Sequence, residues 1–306
     1  MPRLHDLRLL LRLNVTLMVG AATAFGFLLA VPLPFAGLVG QIGQAGPAGA
    51  LAWVVAGAML LAAACSAWNQ VQERDIDALL PRTAGRPLPS GRMTPGAAVG
   101  IGVVSFAAAL GCLHAASPVS GLQLALVGAG IAVAYNGVYT PLKRVTSFAL
   151  LPGALVGAMP PLLGWMAAGG DPRDPVAILL YGVYVLWQVP HFWLRAQRER
   201  IHYVRAGLPV PPAQFAAARY DRLLRVWYHA YAVAVLMLPV FPLLHAPLLR
   251  AGVVLLGVAL LAVSARMRRT SETPACGGGR LALRAADAAM PALMLLLLLD
   301  RMLPLF

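Results

Sequence analysis

A short acidic cluster is the part of this sequence best suited to chemistry. The chain contains 11 Asp and Glu residues, and Glu73, Asp75 and Asp77 fall close together at the end of an apolar run. Carboxylates are costly next to such a run, so the cluster predicts a bound cation. On a helix, Asn69, Glu73 and Asp77 project from one face, whereas Asp75 points elsewhere. Two carboxylates and an amide oxygen suit Mg²⁺, and we predict these three residues as metal ligands and catalytic residues.

Basic residues follow this cluster directly and also lie at the ends of later apolar runs. A metal held by these acids needs an anionic partner, and Arg and Lys side chains bind phosphate oxygens well. We therefore predict a bound diphosphate, the leaving group of an allylic substitution, on Arg74, Arg82, Arg86, Lys143, Arg144 and Arg198. The alternative for any one of these Arg residues is that it anchors the chain to anionic lipid.

Apolar segments long enough to cross a bilayer must position these residues. The chain is 60% hydrophobic and 11% charged, with a mean hydropathy of +0.76, which exceeds what a soluble domain needs to fill its core. Crossing about 30 Å of hydrocarbon takes roughly 20 apolar residues, and such runs recur along the chain. They lack strand-like alternation, and backbone groups in lipid must be satisfied within each segment. The predicted fold is an all-α polytopic membrane bundle of nine transmembrane helices, near 13–33, 48–68, 97–115, 119–139, 148–168, 176–194, 226–245, 247–265 and 282–303.

The distribution of basic residues predicts the orientation in the membrane. A net charge of +13 is compatible with nucleic-acid binding, but the positions of the charges indicate otherwise. With the N-terminus and alternate loops on one side, that side holds all but three of the 24 Lys and Arg residues, the exceptions being Arg173, Arg250 and Arg301. This asymmetry follows the positive-inside rule. It predicts a cytoplasmic N-terminus, function in the long loops after the second and sixth spans, and no nucleic-acid partner.

Several stretches also carry a resemblance to a known family. Residues 69–95, NQVQERDIDALLPRTAGRPLPSGRMTP, resemble the first aspartate-rich motif of the intramembrane prenyltransferase (UbiA) superfamily, N-x₃-D-x₃-D followed by R-T-x-x-R-P-L. Further stretches are similar to the protohaem IX farnesyltransferase (haem O synthase) branch of that superfamily: 139–144 (YTPLKR), 157–165 (GAMPPLLGW), 187–193 (WQVPHFW) and 206–211 (AGLPVP). The similarity covers most of residues 52–212.

The resemblance implies a nine-helix bundle and a Mg²⁺-dependent reaction with farnesyl diphosphate as donor and protohaem as acceptor, giving haem O. We accordingly predict a single domain over residues 1–306, in the cell inner membrane. The expected partners are farnesyl diphosphate, haem b, the lipid bilayer and haem-copper oxidase assembly components. Two alternatives stay open: prenyl transfer to another acceptor such as a quinone precursor, and a non-catalytic protein that binds haem or assists assembly.

The chain departs from the family pattern at both acidic motifs. The first Asp of the first motif is Glu73, which still offers a carboxylate on a longer side chain. Where the second acidic motif should fall, Ile201 and His202 occupy the acidic positions and Glu199 is the remaining acid. The sequence therefore leaves open whether one or two Mg²⁺ ions bind. It also predicts that Arg198 and Arg200 contact the diphosphate directly.

An aromatic cluster at the end of the sixth run is the candidate acceptor site. His191 follows a proline and is flanked by Trp187 and Phe192, which could form a wall against a flat apolar macrocycle. We predict these three residues, together with Tyr139, as substrate-binding residues. The alternative is an interfacial aromatic belt that happens to include a histidine.

Overall fold

A computed structural model describes residues 4–31, 46–117, 119–269 and 278–303. The predicted end of the first span, residues 32 and 33, and Arg3 of the predicted cytoplasmic side lie outside this part. Throughout the described ranges the chain forms helices and no strand, which confirms the all-α prediction.

Nine helices of the described residues are long and apolar enough to cross a membrane, as predicted. They are Leu13–Ala30, Ala48–Gln72, Pro95–Ala115, Gly121–Leu142, Leu150–Ala167, Pro175–Arg198, Ala217–Val240, Pro247–Met267 and Gly279–Met302. The protein is therefore a multi-pass membrane protein. The cytoplasmic position of its N-terminus stays a prediction.

The seventh span corrects the sequence prediction. The sequence predicts this span near 226–245, but the helical segment runs from Ala217 to Val240. A hydropathy pattern excludes the charged residues Arg219, Asp221 and Arg222, whereas the backbone of these residues is helical and continues into the apolar part. The loop after the sixth span is correspondingly shorter than the apolar pattern predicts.

The chain divides into two compact units, 1–172 with 201–209, and 173–200 with 210–306. The helices of the first unit are α1 (Leu4–Leu10), α2 (Leu13–Ala30), α3 (Pro47–Gln72), α4 (Arg74–Leu79), α5 (Pro95–Ala115), α6 (Gly121–Ala132), α7 (Thr140–Leu142), α8 (Leu150–Gly157) and α9 (Met159–Ala167). A π-helix, Val133–Tyr139, joins α6 to α7. The expectation of one domain over residues 1–306 stays a prediction.

Close packing in the first unit depends on small residues. The long helix α3 packs against α2 and α5, and α9 packs against α2. A Cβ on Gly26 of α2 would overlap the backbone of Pro161, and a Cβ on Gly164 of α9 would overlap the carbonyl oxygen of Thr23. Small residues allow membrane helices to approach this closely, because lipid provides no hydrophobic force between them. This packing fixes α2 against α9.

The second unit is built around α10 and the last three long helices. Its helices are α10 (Pro175–Arg198), α12 (Pro211–Gln214), α13 (Ala217–Met237), α14 (Pro247–Arg269) and α15 (Gly278–Met302), while α11 (Arg200–Arg205) contributes residues to both units. Asp174 caps α10 by accepting a hydrogen bond from the Val176 amide at 2.7 Å, and Pro175 occupies the first turn. Helix α10 packs against α13 and α15, and α14 packs against both of these.

Candidate active site

The predicted metal ligands lie where α3 meets α4. Helix α3 ends at Gln72, and Glu73 leaves the helical conformation with φ −107° and ψ 13°. The helical hydrogen bonds nevertheless continue, since the Glu73 amide donates to the Asn69 carbonyl at 2.9 Å and the Asp77 amide to the Glu73 carbonyl at 2.7 Å. The break therefore keeps all three side chains buried, with exposed fractions of 2%, 8% and 3% for Asn69, Glu73 and Asp77.

Glu73 is paired with a lysine from another part of the first unit. The Lys143 Nζ lies 2.7 Å from one Glu73 oxygen, and the Asn69 amide donates to the other at 3.0 Å. The same Nζ lies 4.7 Å from the centre of the Tyr139 ring, a cation–π contact. Burial lowers the pKa of Lys143, but Tyr139 and Glu73 outweigh it and hold the pKa above its usual value. The lysine is therefore cationic beside the carboxylate.

Asp77 is paired with an arginine from the loop that follows α4. The Arg86 Nη1 donates to the Asp77 carboxylate at 2.6 Å, and the Thr83 hydroxyl donates to the Asp77 backbone carbonyl at 2.9 Å. Burial raises the pKa of Asp77 above its usual value, Glu73 adds to the rise, and Arg86 opposes it. One guanidinium thus compensates the buried carboxylate only partly, which favours a further cation near it.

Asp75 lies outside this buried cluster, as its position on the helix predicts. Its carboxylate is 60% exposed and accepts two hydrogen bonds from Arg144, at 2.8 and 2.7 Å. The Arg144 guanidinium lowers the pKa of Asp75 to about 2. Arg144 also donates to the Gln72 carbonyl at 2.7 Å, so its contacts join α3 to the end of α7. Arg74 and Arg82, two further predicted diphosphate ligands, have exposed side chains.

Thr140 is a site residue that the spacing of the acids could not reveal. The Asn69 amide donates to the Thr140 hydroxyl at 3.1 Å, and that hydroxyl donates to the Tyr135 carbonyl at 2.9 Å. Because the hydroxyl proton is used on Tyr135, Thr140 must accept from the Asn69 Nδ2. Thr140 thereby sets the side-chain orientation of Asn69. The Nδ2 of Asn69 points towards Glu73, and its Oδ1 is the atom that could bind a metal. The only sequence signal was its place between Tyr139 and Lys143.

These donors fit a magnesium ion. The Glu73 and Asp77 carboxylates and the Asn69 Oδ1 are hard oxygen ligands, which Mg²⁺ prefers. The set has only two acids, and among the described residues no group of three or more His, Cys, Asp and Glu side chains is placed to hold a metal by itself. Magnesium usually keeps several water ligands and shares phosphate oxygens, so a site with two acids and an amide suits it when a diphosphate supplies further oxygens.

We expect Thr140→Val to raise the Mg²⁺ concentration needed for half-maximal activity. The substitution keeps the side-chain volume but removes the acceptor that orients Asn69, and loss of such a supporting contact typically costs about 10–100-fold in metal affinity or activity. A Mg²⁺ titration of turnover measures the effect. Thr23→Val is the control, since the Thr23 hydroxyl donates within α2, to the Val19 carbonyl at 2.9 Å. Equal Mg²⁺ requirements in the two variants would contradict the orienting role.

The predicted acceptor residues form an aromatic cluster in the second unit. The rings of Trp187 and His191 lie 4.9 Å apart, and those of His191 and Phe192 lie 5.0 Å apart with perpendicular planes. His191 is buried, whereas Phe192 is 41% exposed. The Trp187 indole donates to the Ala286 carbonyl at 2.9 Å, which fixes the cluster against α15. Arg198 ends α10 with an exposed side chain.

Comparison with known proteins decides the family. A sequence profile of the UbiA prenyltransferase family matches residues 19–278. This chain belongs to the UbiA prenyltransferase family. Its acidic residues at the α3–α4 break and the surrounding basic residues therefore lie in a prenyltransferase, and the protein is an enzyme of that class.

Relatives within the UbiA family resemble the chain over most of its length. Protoheme IX farnesyltransferase of Nitratidesulfovibrio vulgaris (strain DP4) is 46% identical over 300 residues, covering 97% of this chain and 95% of the relative. The protein of the same name from Oleidesulfovibrio alaskensis is 48% identical over 233 residues, covering 76% of this chain and 77% of the relative.

Solved structures share the UbiA fold. A digeranylgeranylglyceryl phosphate synthase aligns with a TM-score of 0.75 at 12% identity, covering 99% of each chain. A UbiA homologue from Archaeoglobus fulgidus bound to GPP and Mg²⁺ aligns with a TM-score of 0.66 at 15% identity, covering 94% of this chain and 99% of that one. At these identities the likeness establishes the fold.

Proposed function

We propose that this protein transfers a farnesyl group from farnesyl diphosphate to a vinyl group of protohaem IX, giving haem O. The observation that carries the proposal is the buried acidic face at Glu73 and Asp77, with each carboxylate paired to a cation. It lies in a chain whose relatives of nearly equal length are named protoheme IX farnesyltransferase.

Magnesium is the proposed cofactor, held by Asn69, Glu73 and Asp77. When bound, Mg²⁺ withdraws electron density from diphosphate oxygens and so favours departure of pyrophosphate. Glu73 and Asp77 now neutralise Lys143 and Arg86 at 2.7 and 2.6 Å. With Glu73 and Asp77 as metal ligands, Lys143 and Arg86 would be placed to bind diphosphate oxygens beside them.

Further basic residues are proposed to extend the diphosphate site. Arg74 and Arg82 lie close to the acidic face in sequence, and Arg144 is held at the same helix break by Gln72 and Asp75. A diphosphate contact of Arg198, at the end of α10, stays a prediction from the sequence. Arginine pairs phosphate oxygens in a fixed fork, so several of them stabilise the charge that develops on the leaving group.

In the proposed reaction, C1 of the farnesyl group moves from a diphosphate oxygen to a vinyl carbon of haem. The bond between C1 of farnesyl and the diphosphate oxygen breaks, and its electron pair leaves with pyrophosphate. A vinyl carbon of haem forms a new bond to C1, water adds to the adjacent vinyl carbon, and one proton is released. Tyr139, whose ring lies under the Lys143 ammonium, is proposed to line the farnesyl site with its apolar face.

The acceptor haem is proposed to bind the second unit at Trp187, His191 and Phe192. The His191 ring centroid lies 4.9 Å from that of Trp187 and 5.0 Å from that of Phe192, and the aromatic rings offer apolar faces to a flat macrocycle. Contacts of this type favour a porphyrin over a small polar acceptor. We further propose the cell inner membrane as the location and haem-copper oxidase assembly components as partners.

The direct test is an assay with purified protein, farnesyl diphosphate, haem and Mg²⁺, with a quinone precursor supplied in the same reaction. The expected result is haem O, identified by mass, formed together with an equal amount of pyrophosphate. Chelation of Mg²⁺ should stop both products. Prenylation of the quinone precursor alone would show a different acceptor. Haem binding without any pyrophosphate release would show a non-catalytic haem protein.

A further inference from the structure

An aspartate in the last helix contacts the histidine of the aromatic cluster. Asp287 lies in α15, within a segment apolar enough to cross the membrane. One of its carboxylate oxygens lies 2.5 Å from the His191 Nδ1, and its other oxygen lies 3.4 Å from an Arg195 guanidinium nitrogen. Acidic residues in membrane-spanning segments are costly and usually functional, so this contact requires an explanation.

The contact between His191 and Asp287 is close but not aligned as a hydrogen bond. Both atoms are buried, and within the described residues neither makes an aligned hydrogen bond to any group. A nitrogen and a carboxylate oxygen at this separation share a proton, because without one their lone pairs repel. A proton on the Nδ1 of His191 would therefore have the Asp287 carboxylate as its nearest acceptor.

A second polar contact joins α15 to α10 next to Asp287. The Trp187 indole donates to the Ala286 carbonyl at 2.9 Å, one residue before Asp287. Trp187 and His191 are one helical turn apart on α10, so the same face of α10 makes both contacts. The carboxylate is therefore placed against the imidazole by packing that does not depend on the His191 side chain.

We propose that Asp287 is a positioning residue that holds His191 as an axial ligand of the iron of bound haem. The inference rests on the proposed function, since it takes haem as the acceptor. With its proton on Nδ1, His191 has the lone pair of Nε2 available as a ligand for iron. A carboxylate on the other ring nitrogen fixes ring orientation and makes the imidazole a stronger donor, as it does for many metal-binding histidines.

The sequence gives no indication that His191 and Asp287 are in contact. His191 lies in a motif of aromatic residues, but Asp287 is in a helix that no motif marks. Arg195 is one turn further along α10, and its guanidinium lies 3.4 Å from the second oxygen of Asp287. The three residues thus form a chain, Arg195–Asp287–His191, at one edge of the aromatic cluster.

The experiment uses the full-length protein in detergent with ferrous haem. Resonance Raman spectra would report the iron–histidine stretching vibration, and a haem titration would report affinity. We expect the parent protein to show this vibration and His191→Ala to lose it, with added imidazole restoring an axial ligand. Asp287→Asn should keep the ligand but shift the vibration to lower frequency, and haem affinity should fall about 10–100-fold. Asp287→Glu should move both values back towards those of the parent.

A second histidine–aspartate pair in the same unit supplies the control. The His245 Nδ1 lies 3.1 Å from an Asp300 oxygen, near the other end of α15. The His245 side chain is 47% exposed, so His245→Ala should fold and leave the Raman spectrum and haem affinity unchanged. A purely structural role of Asp287 would lower the protein yield in its Asn and Glu variants without shifting the vibration.

The outcomes separate the two proposals. If the parent protein forms haem O but His191→Ala keeps the iron–histidine vibration, or Asp287→Asn leaves its frequency unchanged, the inference is wrong and the proposed function stands. If the parent protein neither binds haem nor forms haem O, the proposed function fails and the inference fails with it.

Discussion

Asp77→Asn is expected to reduce pyrophosphate release from farnesyl diphosphate by about 10²–10³-fold, the loss typical when one electrostatic contact to a developing charge is removed. The substitution preserves shape but removes the negative charge of a carboxylate that is 3% exposed. Without that charge the proposed magnesium site loses one of its two acidic ligands, and Arg86 loses the carboxylate that it contacts at 2.6 Å. Single-turnover release of pyrophosphate under saturating Mg²⁺ measures the effect.

Asp75→Asn is the matched control for this prediction. It makes the same chemical change two residues away, on a carboxylate that is 60% exposed and paired with Arg144. Exposed ion pairs contribute little, so its turnover should stay within a few-fold of the parent. Parent-like turnover in Asp77→Asn, or equal losses in both variants, would show that the buried face does not hold the metal.

Gly164→Ala is expected to destabilise the protein strongly even though it adds a single methyl group. The new Cβ would overlap the Thr23 carbonyl oxygen and approach the Phe27 amide, and both are backbone atoms of α2. A side chain could move aside, but helix backbone cannot, so α2 and α9 must separate. Overpacking of this kind costs about 1–3 kcal/mol or more. We expect a melting temperature in detergent lower by roughly 5–10 °C, measured by fluorescence or light scattering.

Gly111→Ala tests whether the effect belongs to the contact or to glycine in general. Gly111 lies in α5, and a Cβ built on it comes within 4 Å of no atom of the described residues outside the nearby helix backbone. Alanine has a higher helix propensity than glycine, so this variant should be at least as stable as the parent protein. A Gly164→Ala protein with parent-like melting would show that α2 and α9 are less tightly packed than the structure indicates.

Parts of the candidate site followed directly from the sequence. Asn69, Glu73 and Asp77 share a face because their spacing matches the helical repeat, and the hydrogen bonds across the break at Glu73 preserve it. Asp75 was correctly expected to point away from them. The start of the seventh span was wrong, because hydropathy detects the apolar part of a helix and excludes its charged first turns.

The partners of these residues could not be predicted from the sequence. Lys143 and Arg144 are adjacent, yet one contacts the buried Glu73 and the other the exposed Asp75. The basic residues were identified as a group, but nothing in their spacing indicates which carboxylate each one meets. Thr140 was missed for the same reason, since its contact with Asn69 joins different helices.

The sequence by itself determined the class of the protein and the local chemistry: apolar runs of membrane-spanning length, and an acidic face at one helix end. Both depend on interactions between near neighbours in the chain, which hydropathy and helical periodicity describe. Only the tertiary structure decided which cation neutralises which acid, and that Asp287 of the last helix lies against His191 of the sixth span. Such pairs depend on how helices pack, and packing is set by shape complementarity among many side chains that no local pattern records.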